Sequence, residues 1–176
     1  MRVLLKLVLD CDPDAAWRAI RSPAVLREVV TPWLDLSSLE PGGFPTQWSE
    51  GEHRVRALAF RSLPVGDEVI DLSFPTALSP GVRMMRDGGG GRSGIMAGLR
   101  DWDHRMAVSP DPGGSGGTLY RDRLIVRAGV LTPAIWYSIW AFWQWRGHRL
   151  RQLAPSWSFE PELSDRPQTA VASAHG

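Results

Sequence analysis

The stretch VLTPAIWYSIWAFWQWRGHRLRQL, Val130 to Leu153, constrains the fold more than any other part of the chain. It carries four of the nine tryptophans and then three arginines, Arg146, Arg149 and Arg151. Thr132 and Pro133 read as a helix start, because a hydroxyl caps the first free N–H groups and proline at the first turn loses no needed donor. At about 100° per residue, Trp136, Ile139, Trp140, Trp143, Gly147 and Leu150 share one face. Ser138, Ala141, Trp145, Arg149 and Gln152 lie on the other, where Trp145 finds no partner. The apolar run stops at Gln144, short of the roughly 20 residues a spanning helix needs. The pattern predicts an amphipathic helix covering a sheet, with no transmembrane segment. Its rings Trp136, Trp140 and Trp143 either close a cavity or fill the core.

The remainder supplies the sheet. Val3, Leu5, Leu7 and Leu9 alternate with Leu4, Lys6 and Val8, the period of a half-buried strand. Asp12-Pro13-Asp14 and Ser22-Pro23 are two successive helix starts, and Thr31-Pro32 closes the second helix. Residues 35–50 read as a turn-rich passage. Strands follow over Glu52–Phe60 and Gly66–Phe74, joined by a tight connection at Leu63-Pro64-Val65-Gly66, with a short one over Val82–Arg86. Gly88 to Gly94 reads as a turn or mobile loop, a candidate lid. It lacks the lysine–serine pair and the helix that a phosphate loop requires. Leu99–Val108 and Thr118–Arg127 form the clearest pair, joined by a Ser109–Gly117 hairpin loop. One strand, two short helices, several antiparallel strands and a long helix do not alternate as a parallel α/β fold does. The fold class is α+β: a curved antiparallel sheet with a long helix across it. The domain spans residues 1–154, and the Pro-, Ser- and Ala-rich residues 155–176 read as a disordered tail.

Composition narrows the partners. A formal net charge of +1 gives no bulk electrostatic case for nucleic acid. The single Cys11 excludes an internal disulfide, and four scattered histidines offer no metal-ligand spacing, so no metal or cofactor is expected. No small-residue cleavage site follows the opening strand, which makes the cytoplasm the expected location. The acid-free stretch from Arg123 to Phe159 holds five arginines. Those on the last helix complement its dipole; peripheral contact with anionic lipid is the lesser alternative.

Pairing Val108 with Thr118 across the hairpin sets Met106 opposite Tyr120, His104 opposite Asp122 and Trp102 opposite Leu124, all on one face. Arg105, Arg121, Asp103 and Arg123 then occupy the wet face. A histidine opposite an aspartate on an apolar face is either a self-satisfied polar pair or a general acid/base held by a carboxylate. No serine or cysteine nucleophile accompanies it. His53 and His148 read as partly exposed. Arg54 and Arg56, if they face inward, would suit an anionic ligand.

The opening "DPDAAWRAIRSPAVLREV", the strands "LRDWDHRMAV" and "GGTLYRDRLIVRAG", and the terminal helix together resemble the START/Bet v 1-like superfamily (SRPBCC, polyketide cyclase/dehydrase-like), over roughly Val3 to Leu153. The resemblance implies a helix-grip fold with a hydrophobic cavity between sheet and helix, binding lipids, polyketides, hormones or other apolar molecules. Some members are cyclases or dehydratases, others carriers. The cysteine–histidine ligands of the Rieske domains that accompany some relatives are absent. The expected function is therefore binding of a small apolar or amphipathic molecule by Trp102, Met106, Tyr120, Leu124, Trp136, Trp140 and Trp143. The alternatives are a cyclase or dehydratase using His104 and Asp122, and a non-catalytic interaction protein with a filled core, as monomer or homodimer. An enclosed space of roughly 300 Å3 or more is the discriminating observation.

Overall fold

The computed structural model describes residues 1–99, 101–129 and 132–157, leaving aside the Ala134 side chain. The chain runs β1 (Arg2–Leu9), α1 (Pro13–Ile20), α2 (Pro23–Val30), β2 (Leu34–Ser38), β3 (Gly51–Ala59), β4 (Leu63–Ser73), β5 (Arg83–Asp87), β6 (Gly90–Gly91), β7 (Asp101–Pro110), β8 (Thr118–Arg127) and α3 (Thr132–Trp157). Antiparallel pairing orders the sheet β1-β8-β7-β5-β4-β3-β2, with β6 added against β4. The bent sheet wraps the long last helix, the helix-grip arrangement. No helix among the described residues is long and apolar enough to cross a membrane.

Local chemistry places these elements. In β1, Val3, Leu5, Leu7 and Leu9 are buried and their neighbours exposed, each buried side chain contributing about 1.5–3 kcal/mol before ordering costs. Asp12 caps α1 by accepting from the N–H groups of Asp14 and Ala15, both at 2.9 Å, and Ser22 caps α2 through Val25 N–H. α3 packs on β1. Gly147 faces Leu5 so closely that an added Cβ would sit 3.0 Å from its methyl groups.

Several boundaries differ from the sequence reading. The β3–β4 turn lies at Phe60 and Arg61, both with positive φ, so Leu63–Gly66 belongs to β4 rather than to the connection. Pro64 is accommodated beside a bulge between Ala57 and Leu58. The passage 35–50 contains the end of edge strand β2 and inserts Trp48, 2% exposed, into the core. The glycine run is not a plain loop. Gly90 and Gly91 pair with Val69 and Glu68, and a Cβ on Gly91 would lie 2.1 Å from the Met96 backbone. Glycine there permits strand and turn to touch. α3 continues through Pro155 to the buried Trp157, so residues 155–157 are helix. The rest of the expected tail lies outside the described residues.

The β7–β8 register is shifted by two. Pro110 pairs with Thr118, Met106 with Asp122 and His104 with Leu124, because β7 runs to Pro110 and the loop shortens to 111–117. A two-residue shift keeps every side chain on its predicted face, so the inner and outer sets survive.

Candidate functional site

The inner face of β7 and β8 meets α3 around Asp122, which is 2% exposed. Its Oδ1 accepts from His104 Nε2 and from Trp143 Nε1, each at 2.9 Å, and its Oδ2 from the Tyr120 hydroxyl at 2.8 Å. Arg146 Nη2 lies 3.8 Å from Oδ2. The predicted His104–Asp122 pair forms, across a diagonal rather than directly. Burial alone would push the Asp122 carboxyl up, but His104 and Arg146, with the bonds from His104 and Trp143, hold it well below the usual carboxylate range. Burial and the adjacent Asp122 raise the Tyr120 phenol well above its ordinary value.

An ionised carboxylate only accepts, so His104 Nε2 carries the hydrogen in that bond. Nδ1 has no protein partner among the described residues. His104 lines a cavity of about 210 Å3 between the sheet, α2 and α3. Val25, Leu26, Val29 and Val30 of α2 form one wall, Ile70, Leu72 and Met85 another. From α3 come Ile139, Phe142, Trp143, Arg146 and Leu150.

The predicted binding residues divide. Trp102, Met106, Tyr120 and Trp143 line the cavity. Leu124 is fully buried in the adjoining core. Trp136 packs at the edge of that core and donates to the Arg2 carbonyl at 3.1 Å. Trp140 is 39% exposed and stacks on Tyr137. The cavity face of α3 centres between Ile139 and Arg146, which turns Trp140 about 100° away from it. Asp122 stands behind His104 rather than at the cavity surface. Trp145, unpartnered in the sequence reading, donates to the Thr31 carbonyl at 2.9 Å. Arg54 and Arg56 face outward, to Glu40 at 2.9 Å and Asp67 at 2.8 Å, which removes them as inward ligands for an anion. Within the acid-free stretch, Arg123 meets Asp103, Arg127 meets Asp101 and Arg149 meets Glu28.

Two acids of the lining, Asp87 and Glu68, are not singled out from the sequence, and a third polar residue, Arg146, reads there as a dipole partner rather than a lining residue. Asp87 accepts from Trp102 Nε1 at 2.9 Å and from the N–H groups of Asp71 and Gly89, both at 3.0 Å. Glu68 faces the cavity with no hydrogen-bond partner among the described residues. Burial, and secondarily Asp87, raise its carboxyl to about 7. Arg146 is only 6% exposed. Period-two reading of Glu68, Ile70 and Leu72 carries the Glu68 signal, an acid on an apolar face. Arg146 follows Trp143 by three residues on the helix face but reads equally as a dipole partner. The lining thus combines apolar walls with a carboxyl group, Glu68, and an imidazole, His104.

No protein-family model matches the chain, and no curated protein sequence matches it. Solved structures do. A protein from Chromobacterium violaceum is 19% identical, with 88% of this chain and 96% of that one covered at a TM-score of 0.57. A hypothetical protein from Helicobacter pylori is 11% identical, with 88% of each chain covered at a TM-score of 0.62. A point mutant of norcoclaurine synthase from Thalictrum, in complex with a transition state analogue, is 11% identical, with 89% of this chain and 94% of that one covered at a TM-score of 0.55. At these identities the likeness is one of fold, and the fold is a helix-grip α+β arrangement resembling the SRPBCC/Bet v 1 type.

Proposed function

We propose that the protein binds a small, mainly apolar molecule in the cavity between the sheet and α3. The observation that carries this reading is a partly open cavity of about 210 Å3 with Trp48, Trp102 and Trp143 in its lining. It is smaller than the roughly 300 Å3 at which drug-sized pockets begin. It exceeds the approximately 150 Å3 that accommodates benzene in an engineered apolar cavity. The ligand is therefore small. Trp102, Met106, Tyr120 and Trp143 contact its body, and its polar end faces His104, which Asp122 orients.

Native mass spectrometry of protein purified from its own host tests this. The wild type is expected to retain a small molecule at one per chain, and Leu72→Trp, which fills the cavity, to lose it. Equal retention by both proteins, or retention by neither, overturns the reading.

A second reading has an observation of its own. His104 lines the cavity, its Nε2 is held by Asp122 and its Nδ1 has no hydrogen-bond partner among the described residues, which suits an oriented general acid/base. Glu68 adds a second exchangeable proton, and one of the structural neighbours is an enzyme. If the bound molecule is turned over, His104→Gln is expected to reduce turnover at least about tenfold while binding persists. Unchanged turnover removes His104 as acid or base.

A further inference from the structure

Arg146 is a buried cation held, among the described residues, only by a long ion pair to Asp122 and by the Trp143 ring. Among the described residues, three arginines have a buried Nε without a hydrogen-bond partner: Arg21, Arg146 and Arg149. Arg21 compensates by donating Nη2 to the Trp48 carbonyl, and Arg149 donates Nη1 to Gln152. Arg146 makes no hydrogen bond among the described residues, although it is 6% exposed. Its nearest anion, Asp122 Oδ2, is 3.8 Å away, beyond hydrogen-bonding range. That carboxylate accepts from His104 and Trp143 at Oδ1 and from Tyr120 at Oδ2, and Arg146 makes only the longer ion pair with it. A buried guanidinium left in this state is costly unless something else supplies acceptors.

Its setting says what that is. The guanidinium carbon lies 4.7 Å from the centroid of the Trp143 ring, so the indole covers one face of the fork. Arg146 lines the cavity. The fork's planar donors match the two oxygens of a carboxylate. Of the other acids on the lining, Asp87 has its carboxylate oxygens held by three N–H donors, and burial favours the protonated form of Glu68. A cavity of about 210 Å3 accommodates one ring or a short chain in addition to that head group.

We propose that Arg146 is an anion receptor, and that the cavity takes a small apolar carboxylic acid whose carboxylate the Arg146 guanidinium binds. This rests on the cavity being a ligand site and specifies the chemical class of the ligand.

The probes are 3-phenylpropionate and 3-phenylpropan-1-ol, which share a skeleton and differ in charge, titrated by calorimetry at pH 6.5 with tryptophan fluorescence in parallel. Wild-type protein is expected to bind the acid at least about tenfold more tightly than the alcohol, the range of a charge-assisted hydrogen bond. Arg146→Met is expected to bring the acid down to the alcohol's affinity without changing the alcohol's. Arg146→Lys keeps the charge without the fork and is expected to retain part of the preference. Equal affinity of the wild type for both probes overturns the proposal while leaving the cavity reading standing. A preference that survives Arg146→Met overturns it as well. Binding of neither probe overturns both. The wild-type comparison needs no variant to fold.

Discussion

Replacing Asp122 by Asn tests the network at its centre. The carboxylate receives His104 Nε2, Trp143 Nε1 and the Tyr120 hydroxyl within 2.9 Å, with Arg146 at 3.8 Å. An asparagine keeps one carbonyl oxygen, enough for His104 and Trp143. Its amide then points donors at the Tyr120 hydroxyl and toward Arg146, which loses its nearest anion. Removing one partner from a buried charge pair costs about 3–5 kcal/mol. For a chain of this length that corresponds to a fall in Tm of roughly 6–20 °C. The pH dependence gives a second signature. The folded carboxyl is held below its unfolded value, so its contribution is complete well above the unfolded pKa of about 3.9. That contribution declines as pH falls toward the depressed folded value. The stability gap between wild type and Asp122→Asn is expected to be full at pH 7 and to narrow below about pH 4. Urea unfolding followed by far-UV circular dichroism over that pH range measures both. A variant within about 0.5 kcal/mol of wild type at pH 7 would refute the reasoning, as would a gap that does not narrow in acid.

Glu68 titrates in the opposite sense. Its folded value is raised to about 7, so its protonated form stabilises the fold in acid and that stability is lost as pH rises toward 7. Glu68→Gln is expected to gain about 1–3 kcal/mol over wild type above pH 7 and nothing below about pH 4, read from urea midpoints across that range. Trp143→Ala is expected to cost at least about 3–5 kcal/mol, since it removes a buried ring and a donor to Asp122. Trp140→Ala, at an exposed position, is expected to cost under about 1 kcal/mol in the same thermal melts. Gly91→Ala forces a Cβ into the Met96 backbone and is expected to cost about 2 kcal/mol or more, with faster amide exchange at Arg92 and Ser93.

The sequence-level reading recovers what strict periodicity controls. The alternation of Trp102, His104 and Met106 on β7, and of Tyr120, Asp122 and Leu124 on β8, assigns the inner face, and an error of two in register leaves it unchanged. The Thr132 start and the 3.6-residue period locate α3. Phase within that helix is less secure. Six apolar positions spread over a broad arc, and only contact with α2 decides that Ile139 and Arg146 face the cavity while Trp140 does not. Glu68 and Asp87 escape notice for a different reason. Glu68 is one of three acids in β4, with Asp67 and Asp71, and Asp87 closes β5 next to Arg86. Which acid turns inward depends on the bulge in β3–β4 and on the start of β5. The two-residue strand at Gly90–Gly91 has no side chain to announce it.

The wall formed by α2 is suspended in a particular way. At its start, Arg21 exchanges bonds with Trp48, accepting from Trp48 N–H at 2.7 Å and donating to its carbonyl at 3.0 Å. At its end, the Thr31 carbonyl accepts from the Trp145 indole. Between these two moorings Val25, Leu26, Val29 and Val30 meet the cavity through apolar side chains alone. Their volumes are therefore adjustable without breaking a hydrogen bond, whereas every change around Asp122 breaks at least one. Divergence in ligand size and shape should accumulate on α2, while the β7–β8–α3 side of the cavity stays chemically fixed.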